Sequence, residues 1–230
     1  VGRGGAGTIY GGTVAATGQA FAAGIGGGGS LGGSASYVGG GAGGNVKIYG
    51  GTITSNGNGG AVGIGSGTER SGTSASHGTL TIKGDAFVVT NSIGDADGTS
   101  EWEGVVFNGA NGQIYGGNEA TVSTDAEVPA GYTLTIGDGQ TLTVAHGATL
   151  AVKGTLINNG TVSGDVTFPE MGTGTGTDAD PYKISTAEQL RALASIVDNG
   201  YNFSGKTVVL DEDIDLGGEW NPIGEYNGYA

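Results

Sequence analysis

The 230-residue sequence contains no cysteine, only four prolines and only eight basic side chains against 22 acidic ones. A net charge of -14 leaves no basic surface to neutralise phosphates, which argues against a nucleic-acid partner. No run of about 18 apolar residues is present, so we expect no membrane insertion in this segment. The absence of cysteine is compatible with secretion without disulfides and equally with the cytosol.

Glycine is abundant instead, at 53 residues, and hydrophobic residues make up only 36% of the chain. The glycines do not recur at every third position and proline is scarce, which excludes a collagen triple helix. The composition therefore leaves a repetitive β-branched fold or a flexible linker.

Internal repeats favour the repetitive fold. The segment Ile9–Val14 (IYGGTV) recurs as Ile48–Ile53 (IYGGTI), in altered form as Ile82–Asp85, and again as Ile114–Gly117. A companion motif, Ala22–Gly28, recurs as Ala61–Gly67. The spacing of roughly 32 to 39 residues is typical of solenoids and other arrays.

Short alternating segments within each repeat, such as Thr79–Ile82, predict strands, and the paired glycines predict turns. Such strands bury a face only by stacking on equivalent strands. We therefore predict an all-β fold, a right-handed parallel β-helix (β-solenoid) with long Gly-rich loops at Gly27–Gly44 and Ser66–His77. Residues 1–127 form the Gly-rich repeats in this interpretation.

The repeat becomes shorter over residues 128–168, where a threonine followed by a hydrophobic residue recurs every six to eight residues, as in Thr133–Ile136 and Thr141–Val144. Apolar residues on one side and threonines on the other predict one buried and one solvated face. We interpret this region as the same solenoid in tighter strands, with a stack of β-hairpins as the alternative.

The tail differs in kind. Residues 169–177 read as a Gly/Thr linker, and residues 178–230 as the helix and first strands of a second β-helical module. Ser185 and Glu188 have the spacing of a capping box, the apolar residues that follow have helical period, and Asn199–Gly200 supplies the stop. This is the one helix that the sequence predicts.

The tail also carries a family resemblance. Gly176–Ile184 (GTDADPYKI), Thr186–Leu190 (TAEQL), Asp213–Leu216 (DIDL) and Trp220–Gly224 (WNPIG) resemble the lead-in of β-helical cell-surface modules of Gram-positive and gut bacteria that carry GLUG-type repeats. The Gly-rich half is similar to repeats of large clostridial surface proteins. The resemblance implies an extracellular or cell-surface bacterial protein. Val1 opens directly into repeat sequence without a signal peptide, so we expect a fragment of a longer chain whose second module is truncated.

Four aromatic residues are candidates for stacking on sugar rings: Tyr10, Tyr49, Tyr115 and Trp102. If successive repeats stack in register, Tyr10 and Tyr49 lie about 5 Å apart, with Tyr115 beyond Lys83. A purely structural ladder of packed rings is the alternative.

Asp95, Asp97, Glu101 and Glu103 place four carboxylates within nine residues around a glycine, a set that calcium accepts. No EF-hand spacing accompanies them, so an exposed acidic loop is the competing interpretation. No other cofactor is expected.

The function predicted from these observations is a non-catalytic structural or adhesive segment, with glycans, host or cell-surface proteins, or a second copy in head-to-tail association as partners. A carbohydrate-binding module is the alternative. A polysaccharide-degrading β-helix enzyme needs carboxylates facing a groove, but His77 and His146 sit in turn-like contexts away from acidic clusters. An ice-binding solenoid, suggested by Thr133/Thr135 and Thr141/Thr143, is a further alternative.

Overall fold

The computed structural model describes residues 2–31, 39–70, 75–94, 100–220 and 222–224. Strands dominate this part of the chain, with one α-helix, so the all-β prediction is confirmed at this level. The strands are β1 (Gly7–Ile9), β2 (Thr13–Thr17), β3 (Ile25–Gly26), β4 (Asn45–Asn56), β5 (Ile64–Gly65), β6 (Thr79–Thr90), β7 (Glu101–Trp102), β8 (Gly104–Asn108), β9 (Asn111–Tyr115), β10 (Glu119–Val122), β11 (Ala126–Val128), β12 (Thr133–Ile136), β13 (Thr141–Val144), β14 (Leu150–Val152), β15 (Thr155–Asn158), β16 (Thr161–Ser163), β17 (Val166–Thr167), β18 (Tyr182–Ile184) and β19 (Val208–Leu210). Helix α1 covers Ala187–Asp198, and a 3-10 turn covers Pro169–Met171.

Equivalent residues of successive repeats pair with one another in parallel. Strands β1 and β2 both lie on β4, with Ile9 opposite Ile48 and Thr13 opposite Thr52. Strand β3 lies on β5 and places Ile25 opposite Ile64. We call β1–β3 the first layer and β4–β5 the second layer. Residues that are equivalent in the sequence repeat therefore occupy equivalent positions in neighbouring layers.

The first hydrophobic core lies on one face of these strands. Ile48, Ile53 and Ile82 are fully buried in it. Burial of apolar surface stabilises a fold by about 25 cal/mol per Å². Because the surrounding region is rich in glycine, this column of branched side chains supplies most of its buried apolar surface. The core is completed by Val46, Ile64, Leu80, Ala86, Val88 and Val106.

Residues Ala86–Thr90 of β6 and Gly104–Phe107 of β8 are buried on both faces of the sheet. Val88 and Val106 point into the first core, whereas Phe87, Val105 and Phe107 belong to a second core on the opposite face of the sheet. Buried parallel strands read as continuous apolar runs rather than as alternation. The sequences Phe87–Val89 and Val105–Phe107 have this form.

Strand direction changes at β9. Strand β9 pairs antiparallel with β8 and then parallel with β12, so Tyr115 lies opposite Gly104 instead of continuing the parallel series. The turn between them contains Gly109 at a φ of +81°, a conformation that glycine adopts without strain. The fourth copy of the repeat motif, Ile114–Gly117, is thus not equivalent in space to the first two, which corrects the sequence interpretation.

Residues 111–167 form three parallel three-stranded sets around the second core: β9-β12-β15, β10-β13-β16 and β11-β14-β17. Their inward residues, such as Leu134, Leu142 and Leu150, are fully buried. Pairing in this region is parallel rather than the hairpin stack that was the alternative.

The C-terminal segment packs onto the end of the second core. Met171, Tyr182 and Leu193 belong to the same cluster as Leu134. Met171 is fully buried, although it lies in the stretch that we expected to be a linker. The core is therefore continuous across residues 169–177.

The Tyr182 ring is almost fully buried, and its hydroxyl donates to the carbonyl oxygen of Val166 at 3.0 Å. Burial, reinforced by the nearby Tyr201 and Asp165, raises the pKa of Tyr182 to about 12. The phenol is therefore held in its neutral, donating form well above the ordinary range for tyrosine.

The N-cap of helix α1 lies one residue later than predicted, at Thr186 instead of Ser185. Thr186 is the N-cap in extended conformation; its hydroxyl accepts from the Gln189 amide at 3.2 Å, and the Gln189 side chain accepts from Thr186 N–H at 3.2 Å. The Gln189 side chain also accepts from Ser185 N–H at 2.8 Å. Ser185 and Glu188 therefore do not form the capping box.

Glycines allow the layers to approach each other closely. A Cβ on Gly43 would lie 1.7 Å from the carbonyl oxygen of His77, and one on Gly154 would lie 2.2 Å from that of Tyr132. Neither site has space for a side chain.

The ends of the two predicted Gly-rich loops are also packed rather than thrown outward. Gly41 N–H donates to Gly28 O at 2.7 Å, and Gly67 N–H donates to Gly41 O at 3.0 Å. Gly27, Gly41 and Ser66 are buried. The backbone of these glycines supplies hydrogen bonds between layers, which is why they need not carry side chains.

Candidate functional site

One row of side chains runs along the outer face of the first four paired segments. Ile9, Ile48, Ile82 and Trp102 are in register and face the first core. Side chains alternate across a strand, so the residue that follows each of these faces outward. We call these following residues the surface row: Tyr10, Tyr49, Lys83 and Glu103.

The two tyrosines of the surface row stack on each other. Their ring centroids are 5.5 Å apart and the ring planes are inclined by 16°. The spacing expected from stacked repeats is therefore confirmed. Tyr10 is 80% exposed and Tyr49 38% exposed, so one face of the Tyr10 ring and the edges of both rings are open to solvent.

The other half of the surface row is an ion-paired cluster. Lys83 Nζ lies 3.2 Å from a Glu101 carboxylate oxygen and 3.5 Å from one of Glu103. The hydrogen bond to Glu101 and the charges of both glutamates raise the pKa of Lys83. The side chains are largely exposed, and such pairs contribute little to stability.

Glu101 and Glu103 thus face a lysine in the structure. Asp95 and Asp97, the other two members of the predicted calcium site, lie outside the described residues. Within the described ranges no group of three or more His, Asp or Glu side chains is arranged to hold a metal ion. The calcium site remains a prediction from the sequence.

Trp102 and Tyr115 form a second aromatic pair away from the surface row. Their rings meet edge to face, with centroids 5.2 Å apart and planes inclined by 76°. Both pack against the first core, at the strands where the sheet changes direction. The structure therefore brings Tyr10 together with Tyr49, and Trp102 together with Tyr115, but does not join the four into one platform.

A groove that the sequence did not reveal lies between the two halves of the molecule. Its volume is about 580 Å³, and it is lined by the threonine face of β2 and β4 on one side and by residues around β11 and β14 on the other. Thr52 Oγ1 joins the walls, donating to Asp125 O at 2.9 Å and lying 3.0 Å from Thr124 Oγ1. The partners are more than 70 residues apart, so no local pattern signals the contact.

Polar residues of the groove are engaged with neighbours. The Asp125 carboxylate accepts from Thr149 N–H at 2.9 Å, and Glu127 pairs with Lys153 at 2.7 Å. These bonds hold both carboxylates against the wall of the groove.

The histidine in the first half, His77, lies beside Ser66. Its Nδ1 is 2.8 Å from Ser66 Oγ, and Ser66 is 1% exposed. The geometry resembles a nucleophile and its base, but a substrate has no access to a hydroxyl buried to this degree. The contact is one of packing between neighbouring loops.

The threonine rows behind the ice-binding alternative extend across three strands. Thr143 lies between Thr121 and Ser163, and Thr141 lies between Glu119 and Thr161. One edge of the row therefore begins with a carboxylate rather than a hydroxyl.

Comparison with known proteins adds no assignment: no protein-family model, curated protein or solved structure matches the chain. Among the described residues, no helix has the length and apolar character needed to cross a membrane.

Proposed function

We propose that this chain is a non-catalytic structural segment of a secreted or cell-surface bacterial protein, built as a right-handed parallel β-helix whose loops and faces are displayed for adhesion. The observation that carries the proposal is the in-register parallel pairing of equivalent repeat residues, Ile9 with Ile48 and Ile25 with Ile64. Stacked repeats of this kind form elongated scaffolds whose stability adds up from contacts between neighbours.

The hand follows from the general preference of parallel strand connections, which are right-handed in the great majority of cases. Burial is consistent with a scaffold: the inward columns are apolar, and the outward columns carry threonine, tyrosine and acidic residues. The net charge of -14 favours solubility of an exposed segment.

The location is tested by labelling. An antibody raised against the purified chain should stain intact cells of the source organism as strongly as permeabilised ones. Staining that appears only after permeabilisation would contradict a surface location.

The non-catalytic assignment is tested by incubation with a broad polysaccharide panel. We expect no release of reducing ends or unsaturated products. Turnover that persists through a second, independent purification would contradict the non-catalytic assignment and show that the chain is an enzyme.

Glycan binding is the second candidate, and the exposed outer face of Tyr10 favours it. Aromatic faces stack on the apolar faces of sugars, and the Tyr10–Tyr49 stack presents one such face with its ring held in place. A glycan array should then show binding that Tyr10→Ala and Tyr49→Ala abolish and Tyr10→Phe retains. Equal signals for the parent chain and the three variants would contradict glycan binding by these tyrosines and leave only the scaffold function.

A further inference from the structure

Glycine follows asparagine at six places in the described part of the chain: Asn56, Asn58, Asn108, Asn111, Asn159 and Asn199. In such a pair the backbone nitrogen of the glycine can attack the side-chain amide carbon of the asparagine, because the two groups are held close together and close a five-membered ring. Glycine has no Cβ to obstruct the attack. Each pair is therefore able to modify itself, and the fold decides which of them reacts.

Five of the six pairs are held in place by the fold. At four of them the backbone N–H of the glycine donates a hydrogen bond: Gly57 to Asn91 Oδ1 at 3.0 Å, Gly109 to Thr90 O at 3.0 Å, Gly160 to Asn158 Oδ1 at 3.3 Å and Gly200 to Val197 O at 2.9 Å. Each of these nitrogens has to give up its hydrogen bond before it can attack. At the fifth pair, Gly112 is buried inside β9, between β8 and β12.

Asn58 is the exception. It lies with Gly59 on the corner of the second layer that joins β4 to β5, and both residues are exposed. Within the described ranges, no residue accepts a hydrogen bond from Gly59 N–H and none bonds to the Asn58 side chain. The backbone of Asn58 itself is held, because its N–H donates to Ala22 O at 3.2 Å and its carbonyl accepts from Ala61 N–H at 3.1 Å. The corner therefore presents an amide carbon and a free backbone nitrogen side by side.

We propose that Asn58 is a site of spontaneous modification, at which the folded protein converts its own side-chain amide into a carboxylate. Gly59 N loses its proton to water and bonds to Asn58 Cγ, and the side-chain nitrogen takes up a proton and leaves as ammonia. Water then opens the resulting succinimide at either carbonyl, which gives aspartate or isoaspartate. The net reaction is hydrolysis of one amide, and water is its only co-reactant. The reaction needs no enzyme, so the converted fraction increases with the age of the folded protein.

The product forms at a contact between two layers. Either product adds a negative charge to the corner, and isoaspartate also lengthens the backbone by one carbon. Phe21 of the first layer packs directly over this point, since a Cβ on Gly59 would lie 2.5 Å from a carbon of the Phe21 ring. The modification goes beyond a scaffold role, because it changes the charge and the chain length of a corner that the scaffold displays.

The test is incubation of the intact folded chain in neutral buffer, followed over time by peptide mapping and mass spectrometry, with electron-transfer fragmentation to tell isoaspartate from aspartate. Asn58 should convert at least about fivefold faster than each of the other five asparagines, which is the factor that one hydrogen bond contributes. In guanidinium chloride all six should convert at similar rates. Equal or faster conversion of another pair in the folded chain, or an equal advantage of Asn58 in the denatured chain, would overturn the proposal.

Two variants of exposed residues test the physical reason. Asn58→Gln keeps an amide but would have to close a larger ring, so conversion at this position should be lost; conversion at the parent rate would overturn the proposed chemistry. Asn91→Ala removes the acceptor of Gly57 N–H, so conversion of Asn56 should rise about fivefold, whereas Asn199 serves as the unchanged control. An unchanged rate at Asn56 would show that hydrogen bonding of the glycine nitrogen does not select the site.

Discussion

The two-sided burial of β8 makes a specific prediction about adjacent residues. Val105 and Val106 are both fully buried, the first in the second core and the second in the first core. Truncation to alanine removes two carbons in each case, worth about 1.6 kcal/mol at ~0.8 kcal/mol per buried group. Incomplete closure of the cavity brings the loss in free energy of unfolding to about 2–3 kcal/mol for Val105→Ala and for Val106→Ala alike.

Strand β13 provides the matched control, since it has one buried and one solvated face. Leu142 is fully buried and Thr143 is exposed. Leu142→Ala should cost about 2–5 kcal/mol, whereas Thr143→Ala should stay within about 0.5 kcal/mol of the parent.

Urea denaturation followed by far-UV circular dichroism and by tryptophan fluorescence measures these differences. The two probes should give coincident transitions, because one strand belongs to both cores. A cost below about 0.5 kcal/mol for either valine variant would refute the shared strand. Separate transitions for the two probes would refute the coupling of the cores.

Three further outcomes are expected from the same measurement. Thr186→Ala should lower the free energy of unfolding by about 1 kcal/mol, while Ser185→Ala should change it by less than about 0.5 kcal/mol. A larger loss for Ser185→Ala than for Thr186→Ala would show that Ser185 is the N-cap, as predicted from the sequence. Gly154→Ala should lower the free energy of unfolding by about 1–3 kcal/mol, because the new Cβ meets backbone atoms of Tyr132 and Pro129. Gly117→Ala should be neutral, because a Cβ there meets nothing within 4 Å, and equal free energies of unfolding for the two variants would contradict the close approach at Gly154. Tyr182 keeps its proton to about pH 12 in the folded protein but ionises near pH 10 in the unfolded chain, so the free energy of unfolding should fall as pH rises between these values, by at most about 2.7 kcal/mol. Tyr182→Phe should remove this pH dependence. If the variant loses stability over the same pH range as the parent, groups other than Tyr182 cause the loss.

Repeats were the most informative signal in the sequence. The spacing of the Ile-Tyr-Gly-Gly-Thr segments predicted that Tyr10 and Tyr49 would be neighbours, and the rings are stacked at 5.5 Å. Similar short segments at a regular spacing predict which residues are neighbours in the structure, because each segment buries its apolar face only against the next one. The helical period of the tail was equally direct, and only the cap position was one residue off.

The same reasoning failed where local similarity did not imply equivalent position. Ile114–Gly117 looks like the earlier motif, yet the turn after β8 reverses the strand and moves Tyr115 to the side of Trp102. Continuous apolar runs at Phe87–Val89 and Val105–Phe107 were the available sign of strands covered on both faces. The contact of Thr52 with Asp125 depends on how the two halves fold back on each other, and no short motif encodes it.

The passage from β8 to β9 has a geometric consequence for the proposed β-helix. Reversing the direction of the strands while the stack advances would by itself convert a right-handed winding into a left-handed one. Moving the core to the opposite face of the sheet would do the same. Both occur together at β8 and β9. In the proposed β-helix the two mirror operations would therefore cancel, and the winding would keep the same hand on either side of this reversal.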